Sequence, residues 1–234
     1  MMTEVLQLLR TGDSFAAMEI IQCQGAPLDI AARYHSLVKD LYWKARDLPA
    51  VALIGRAGIL YCLGQSLIAK ETPKTAEQFR SIAKGLANDV GSFTWPGWEE
   101  PGIHPTPDEI AFGRDCARLN LRLAIELKKP LSRLSMAHWL LGAHKLSARD
   151  FQGAVKQFQL AQEVLQTDVP ESKANEPLNA GYLMIARLCG DGSDTEARSK
   201  IDEIIGELNA RSDEEAKDFC TQLTTARRHF LKKG

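Results

Sequence analysis

The amino-acid sequence predicts an all-α protein. Two positions carry strong helix start signals, because Thr72-Pro73 and Thr106-Pro107 each place a capping residue before a proline in the first helical turn. Glu109 stands where the carboxylate of a capping box is needed. The strict alternation of apolar and polar residues that marks strands is almost absent. We therefore expect helices along the whole chain and negligible sheet.

The helical pattern divides the chain into about eleven segments. They are predicted at residues 3–10, 13–24, 28–46, 49–70, 73–89, 107–128, 131–147, 150–166, 172–189, 194–209 and 213–231. Ser193 with Glu196, and Ser212 with Glu215, repeat the capping-box spacing before the last two helices. One stripe supports the helix at 107–128: Ile110, Ala117, Leu121, Ala124 and Ile125.

Composition limits the classes of function. With 234 residues and 44% hydrophobic residues, the chain can form one sizeable core or one elongated domain. Its net charge is −1, which provides no long-range field for nucleic acid or an anionic membrane. We expect no nucleic-acid partner and no membrane partner.

Cysteine usage and the terminal segment predict a cytoplasmic protein. The five cysteines are scattered without a C-x-x-C pair, which favours buried reduced thiols over zinc binding or redox work. The N-terminal apolar run is too short for a signal peptide, and no later stretch approaches 18 continuous apolar residues.

A spaced set of small and large apolar residues marks the middle of the chain. Leu141 and Gly142 are followed after eleven residues by Ala154, and then by Phe158 and Ala161. This pattern resembles the tetratricopeptide repeat, a 34-residue helix pair. Small residues there admit the neighbouring helix, while large ones fill the space between the pair.

A second, less complete copy lies upstream. Leu63 and Gly64 are again followed after eleven residues by Ala76, and Ala83 stands seven further on. Arg80 occupies the place where the family has its aromatic residue.

The resemblance implies an α-solenoid of antiparallel helix pairs forming a single domain over residues 1–234. Its two repeat frames fall near 57–90 and 135–168, 78 residues apart, so a segment is inserted between them. Residues 28–56 and 172–209 are candidates for degenerate repeats. The last helix, 213–231, is expected to be a solvating cap.

In this family the first helix of each pair lines a concave groove that holds a partner. The place of the family's tryptophan is taken here by Leu60 and His138, and Tyr61 and Trp139 lie one residue later. A rotation of about 100° carries these two aromatics toward the groove. Four residues are thus predicted to bind the partner: Tyr61, Gln65, Trp139 and Ala143. The alternative for Trp139 is a position in the core between helices.

The inserted segment, residues 91–106, is rich in tryptophan, proline and glycine. We expect a long ordered loop. Exposed Trp95 and Trp98 would make it a partner-binding arm. Alternatively, both side chains fold back and fill a gap between repeats.

Three arginines follow the loop at four-residue spacing: Arg114, Arg118 and Arg122. Such a stripe would form a rail for an acidic peptide, a carboxylate or a phosphate. In the structural alternative Arg118 pairs with Asp115 and Arg122 with Glu126, which leaves an ordinary solvated face.

The sequence thus predicts a non-enzymatic adaptor or scaffold that binds a protein segment, with an acidic peptide as one candidate. No catalytic residue, metal or cofactor is predicted. The alternative is an all-α enzyme or a sensor of a small ligand or anion, built on the 91–106 loop and the adjacent arginines. Its residues would be Glu99, Glu100, His104, Arg114 and Arg118.

Overall fold

The computed structural model describes residues 1–165 and 176–231, and this part of the chain contains eleven α-helices and no strand. The prediction of an all-α protein is confirmed. The helices are α1 (Met2–Arg10), α2 (Ser14–Gln22), α3 (Pro27–Trp43), α4 (Leu48–Ile68), α5 (Pro73–Phe93), α6 (Pro107–Glu126), α7 (Leu131–Ser147), α8 (Phe151–Leu165), α9 (Glu176–Gly190), α10 (Thr195–Ala210) and α11 (Glu214–Leu231). A single 3₁₀ turn spans Pro96–Trp98.

The helices fall into two compact units, where the sequence predicted one domain over 1–234. The first unit comprises Met1–Thr94 and Pro105–Lys128, and the second comprises Trp95–His104 and Lys129–Gly234. The second unit therefore includes most of the predicted 91–106 loop.

Most predicted helix bounds agree with the structure within a few residues. The largest described difference is at α5, which continues to Phe93 instead of ending at residue 89. Its last turn closes through Thr94, whose hydroxyl donates a hydrogen bond of 2.7 Å to the carbonyl of Val90. Three predicted bounds lie outside the described residues: the helix end at 166, the helix start at 172 and the end of the repeat frame at 168.

Four helix caps were predicted. Thr72 is the N-cap residue of α5, but its side chain makes no capping hydrogen bond. Thr106 caps α6 as predicted, and the carboxylate of Glu109 accepts a hydrogen bond of 2.7 Å from the Thr106 N–H. The predicted caps Ser193 and Ser212 are wrong by one residue. The carboxylates of Asp194 and Asp213 accept the backbone N–H groups at these two helix starts.

The predicted apolar stripe of α6 is correct only in part. Ala117 and Ala124 are buried, but Ile125 is 57% exposed. The buried face is centred on smaller and more polar residues, which include Gly113, Cys116 and Asn120.

In the first unit the helices pack closely through glycine. Successive helices from α3 to α6 lie against one another, and α3 also packs on α5. A Cβ atom at Gly55 would come within 2.4 Å of Val90 on α5, and one at Gly58 within 2.8 Å of Tyr34 on α3. These two glycines mark the face of α4 that is buried between α3 and α5.

Helix α4 is also the one described helix whose length and composition match a membrane span. Core helices of soluble proteins have the same character, and α4 carries Arg56 within its apolar run. Its packing against α3 and α5 gives the buried face a structural role within the unit.

In the second unit the helices from α7 to α11 pack on their sequence neighbours, and α9 also packs on α7 and α11. The core between them includes Phe158 of α8, Tyr182 of α9 and Leu223 of α11. The 3₁₀ turn lies against α7 and α11.

The two predicted repeat frames differ in their packing. In the frame near 135–168, Gly142 lies against Phe158, as expected for a close helix pair. In the frame near 57–90, a Cβ atom at Gly64 would meet nothing within 4 Å, so this glycine is not needed for helix contact. Arg80 forms a salt bridge with Glu126, and the neighbouring Phe79 is buried in its place.

Candidate functional site

The first unit contains an apolar groove of about 580 Å³ between α2, α4 and α6. Its lining residues are Ser14, Phe15, Met18, Pro49, Ala52, Leu53, Arg56, Ala57, Leu60, Asp108, Glu109 and Phe112.

Large apolar side chains of this groove are open to solvent. Phe15 is 89% exposed, Leu60 is 64% exposed and Leu53 is 40% exposed. Contiguous apolar surface of this kind marks an interaction site more often than a single exposed leucine does. The groove is therefore the candidate binding site of the first unit.

Packing of α4 determines which residues face the groove. Because Gly55 and Gly58 turn one side of α4 toward α3 and α5, Leu53 and Leu60 lie on the opposite side, one heptad apart. Their spacing of seven residues places them on one line along the helix.

Tyr61, which was predicted to face the groove of a repeat array, is not among the residues that line this groove. Its ring centroid is 5.7 Å from that of Tyr34 on α3, and its hydroxyl donates a 3.4 Å hydrogen bond to the carbonyl of Pro27. Leu60, at the position of the family's tryptophan, lines the groove instead. Gln65 is half-buried and is not one of the lining residues.

Charged residues are also part of the groove lining. The guanidinium carbon of Arg56 lies 4.3 Å from the ring centroid of Phe112, a cation–π contact between α4 and α6. Glu109 is engaged in the cap of α6, while Asp108 is an exposed carboxylate of the first helical turn. The groove thus combines an apolar surface with cationic and anionic side chains.

The three predicted rail arginines do not form a continuous anion-facing row. Arg118 pairs with Asp115 at 2.9 Å, and Arg122 lies 3.6 Å from Glu126. Both pairs were foreseen in the structural alternative. Arg114 differs, because its Nε atom is buried and has no hydrogen-bond partner among the described residues.

In the second unit, Trp139 is half-buried and packs against other aromatic rings. Its ring centroid lies 5.2 Å from that of Tyr182 and 5.7 Å from those of Trp95 and Trp98. The predicted surface position of Ala143 is wrong. Ala143 is fully buried, and its carbonyl accepts the indole N–H of Trp95 at 2.9 Å.

The tryptophans of the 91–106 loop fold back onto their own unit. Trp95 is 1% exposed, so the prediction that it contacts a partner from an exposed loop is wrong and the packing alternative holds for it. Trp98 is half-buried and packs edge-on against Trp95, with the ring centroids 4.8 Å apart.

The acidic part of the loop forms ion pairs with α11. Glu99 accepts a 3.1 Å hydrogen bond from Nε of Arg228, and its other oxygen lies 3.0 Å from Nδ1 of His229. Arg228, and then His229, hold the pKa of Glu99 below its ordinary value. Arg228 and His229 of α11 thus bind the loop.

Three residues of the predicted enzymatic alternative have the following surroundings. Glu99 is paired with Arg228, Arg118 is paired with Asp115, and His104 is exposed. Within residues 1–165 and 176–231, no three His, Cys, Asp or Glu side chains are grouped to hold a metal ion.

The residues of this groove were not predicted from the sequence, because partner binding was assigned to the aromatic residues at 61 and 139. The signal that was present is the pair Gly55 and Gly58, three residues apart in a helical pattern. Small residues at that spacing indicate close helix approach, and they assign the opposite side of α4 to the surface.

Comparisons with family models, curated proteins and solved structures gave no match to this chain.

Proposed function

We propose that the protein is a non-enzymatic adaptor that binds an amphipathic helical segment of a partner protein in the groove between α2, α4 and α6. The observation that carries this proposal is the exposure of Phe15, Leu53 and Leu60 along one apolar groove. Burying such side chains against a partner supplies about 25 cal/mol per Å² of apolar area.

The openness of the lining favours a protein segment over a small ligand. A small apolar molecule would leave its outer surface in water, because the walls do not close over side chains as exposed as Phe15 and Leu60. An amphipathic helix has an apolar face for the groove and a polar face for solvent.

The packing pattern supports a repeat architecture for this adaptor. Within each unit every helix lies on its sequence neighbour, and α3 packs on α5, α4 on α6, α7 on α9 and α9 on α11. That order is the one expected of a tetratricopeptide-like solenoid, in which alternate helices share a layer. The cysteines carry free thiols, which fits the proposed cytoplasmic location.

The proposal is tested by crosslinking from inside the groove. A photoreactive residue at Leu60 in the full chain should capture a helical, amphipathic segment of a specific protein. The same group at Ile125, which is similarly exposed but does not line the groove, serves as the matched control.

A synthetic peptide of the captured segment is then titrated by fluorescence anisotropy. Leu60→Glu should weaken its binding at least tenfold, because a carboxylate would be placed against an apolar helix face. Ile125→Glu should leave the affinity unchanged. Equal capture at both positions, or full affinity in Leu60→Glu, would reject the groove as the site.

A further inference from the structure

The segment Trp95–His104 lies on the helices of the second unit in the way a bound peptide lies on a receptor. Two of its backbone hydrogen bonds are local. The N–H of Glu99 donates to the carbonyl of Pro96 at 3.3 Å, and that of Ile103 donates to Glu100 at 3.0 Å. Three side chains of the segment attach it to α7, α9 and α11.

The first attachment is the indole of Trp95. Its N–H donates to the carbonyl of Ala143 on α7, and its ring centroid lies 5.8 Å from that of Tyr182 on α9 and 5.9 Å from that of Phe230 on α11. One side chain thus contacts all three helices. Fully buried tryptophans of this kind carry most of the affinity in many peptide complexes.

The second attachment is Trp98, whose ring centroid lies 5.7 Å from that of Trp139 with the two rings tilted by 34°, while it also packs on Trp95. Gly97 makes this pairing sterically feasible. A Cβ atom there would lie 2.3 Å from the Trp95 ring, so any larger residue would push the chain off its own indole. The sequence Trp-Pro-Gly-Trp is therefore matched to this surface.

The third attachment is electrostatic. Glu99 adopts a positive φ of 45°, which directs its carboxylate to Arg228 and His229 at the end of α11. The Arg228 side chain is 52% exposed and that of Glu99 is 32% exposed, so this ion pair is accessible to solvent. Accessible ion pairs contribute selectivity more than stability.

From these three attachments we infer that the face formed by α7, α9 and α11 is a peptide-recognition surface for two tryptophans three residues apart followed by a carboxylate. The chain's own Trp95–His104 segment occupies it, and another polypeptide that presents the same chemistry competes for it. This surface belongs to the second unit and is independent of the groove proposed for the first.

A competition experiment with the full chain tests this inference. The probe is a fluorescently labelled synthetic peptide with the sequence of residues 93–105. Glu99→Arg in the protein places a cation against Arg228 and weakens the resident segment, yet it leaves Arg228 free for the peptide's own glutamate. We expect the peptide to bind Glu99→Arg about tenfold tighter than the unaltered chain, in which the resident segment competes at high effective concentration.

Two matched changes establish specificity. A peptide with Trp95→Ala should lose at least tenfold in affinity for the Glu99→Arg protein. A peptide carrying Glu99→Arg should prefer an Arg228→Glu protein over the Glu99→Arg protein, since the ion pair is then restored with its charges exchanged.

The inference is overturned if the folded Glu99→Arg protein binds the peptide no tighter than the unaltered chain does. It is also overturned if the natural and Trp95→Ala peptides bind equally. If Glu99→Arg does not fold, the affinity of the peptide is measured for Glu99→Gln instead. This change removes the ion pair without adding repulsion. If Glu99→Gln binds the peptide no more tightly than the unaltered chain does, the inference is likewise overturned.

Discussion

A Cβ atom at Gly142 on α7 would lie 2.8 Å from Cε1 of Phe158 on α8, so these two helices meet where one of them has no side chain. The corresponding glycine of the upstream frame, Gly64, has open space around it. Two glycines at equivalent places in the sequence pattern thus have opposite environments.

Alanine substitutions at these glycines should change stability in opposite directions. Gly142→Ala should lower the free energy of unfolding by about 1 to 3 kcal/mol, because the added methyl group displaces the Phe158 ring. Gly64→Ala should raise it by about 0.5 to 1 kcal/mol, since alanine restricts the unfolded chain and meets no obstacle. Urea denaturation of both variants checks the pair. Destabilisation by Gly64→Ala would contradict the open environment.

Trp139→Ala should lower the free energy of unfolding by about 3 to 5 kcal/mol, because it removes a ring that packs on Trp95, Trp98 and Tyr182. The matched control is Trp43→Ala, at a tryptophan that is 57% exposed, where the expected loss is about 0.5 to 1.5 kcal/mol. Chemical denaturation monitored by circular dichroism gives both values. Similar losses would show that Trp139 is not a core residue.

Glu99 should make stability depend on acid pH. Its pKa in the folded state is lowered from 4.5, first by Arg228 and then by His229, so its stabilising contribution is present above 4.5. The contribution is lost as pH falls through the folded-state pKa. The Tm of Glu99→Gln should therefore lie below that of the unaltered chain at neutral pH and approach it in acid.

Thermal denaturation between about pH 3 and about pH 7 measures this difference. Glu163→Gln, at an exposed position of α8, is the control and should show no such convergence. A Tm difference for Glu99→Gln that is constant with pH would contradict the ion pair.

The cysteines should differ strongly in their rate of alkylation. Burial raises the pKa of Cys62 and of Cys116 to about 12, whereas Cys23 is exposed. Because the thiolate is the reactive form, iodoacetamide at about pH 8 should modify Cys23 first and leave Cys62 and Cys116 intact until the unit unfolds. Mass spectrometry over a time course measures this. Rapid labelling of Cys116 in the folded protein would refute its burial.

Helix positions were predictable because start signals and apolar spacing act over a few residues. The exact capping residues were less predictable, because at two helix starts the sequence has two good capping residues side by side. At Ser193 and Asp194, and again at Ser212 and Asp213, the carboxylate takes the cap. Both residue types accept the same N–H bonds, and local sequence does not decide between them.

The side of α4 that faces solvent was not predictable from the repeat pattern. A difference of one residue, between Leu60 and Tyr61, rotates the side chain by about 100°. The outcome depends on contacts of Gly55 with Val90 and of Gly58 with Tyr34, which bring together residues distant in sequence.

The position of Trp95 was also not predictable from local sequence. The sequence left open whether it contacts a partner or fills a gap, because both environments favour tryptophan. The decisive groups are the carbonyl of Ala143 and the ring of Phe230, which lie far along the chain. Long-range contacts of this kind have no local sequence signal.

The distribution of tryptophans makes the two units optically distinct. Trp43 is in the first unit, while Trp95, Trp98 and Trp139 are packed together in the second. Intrinsic fluorescence in a Trp43→Phe chain would therefore report only the second unit, and the difference from the unaltered chain would report the first. The protein thus contains the probes needed to determine whether its two halves lose their structure in one cooperative step or in two.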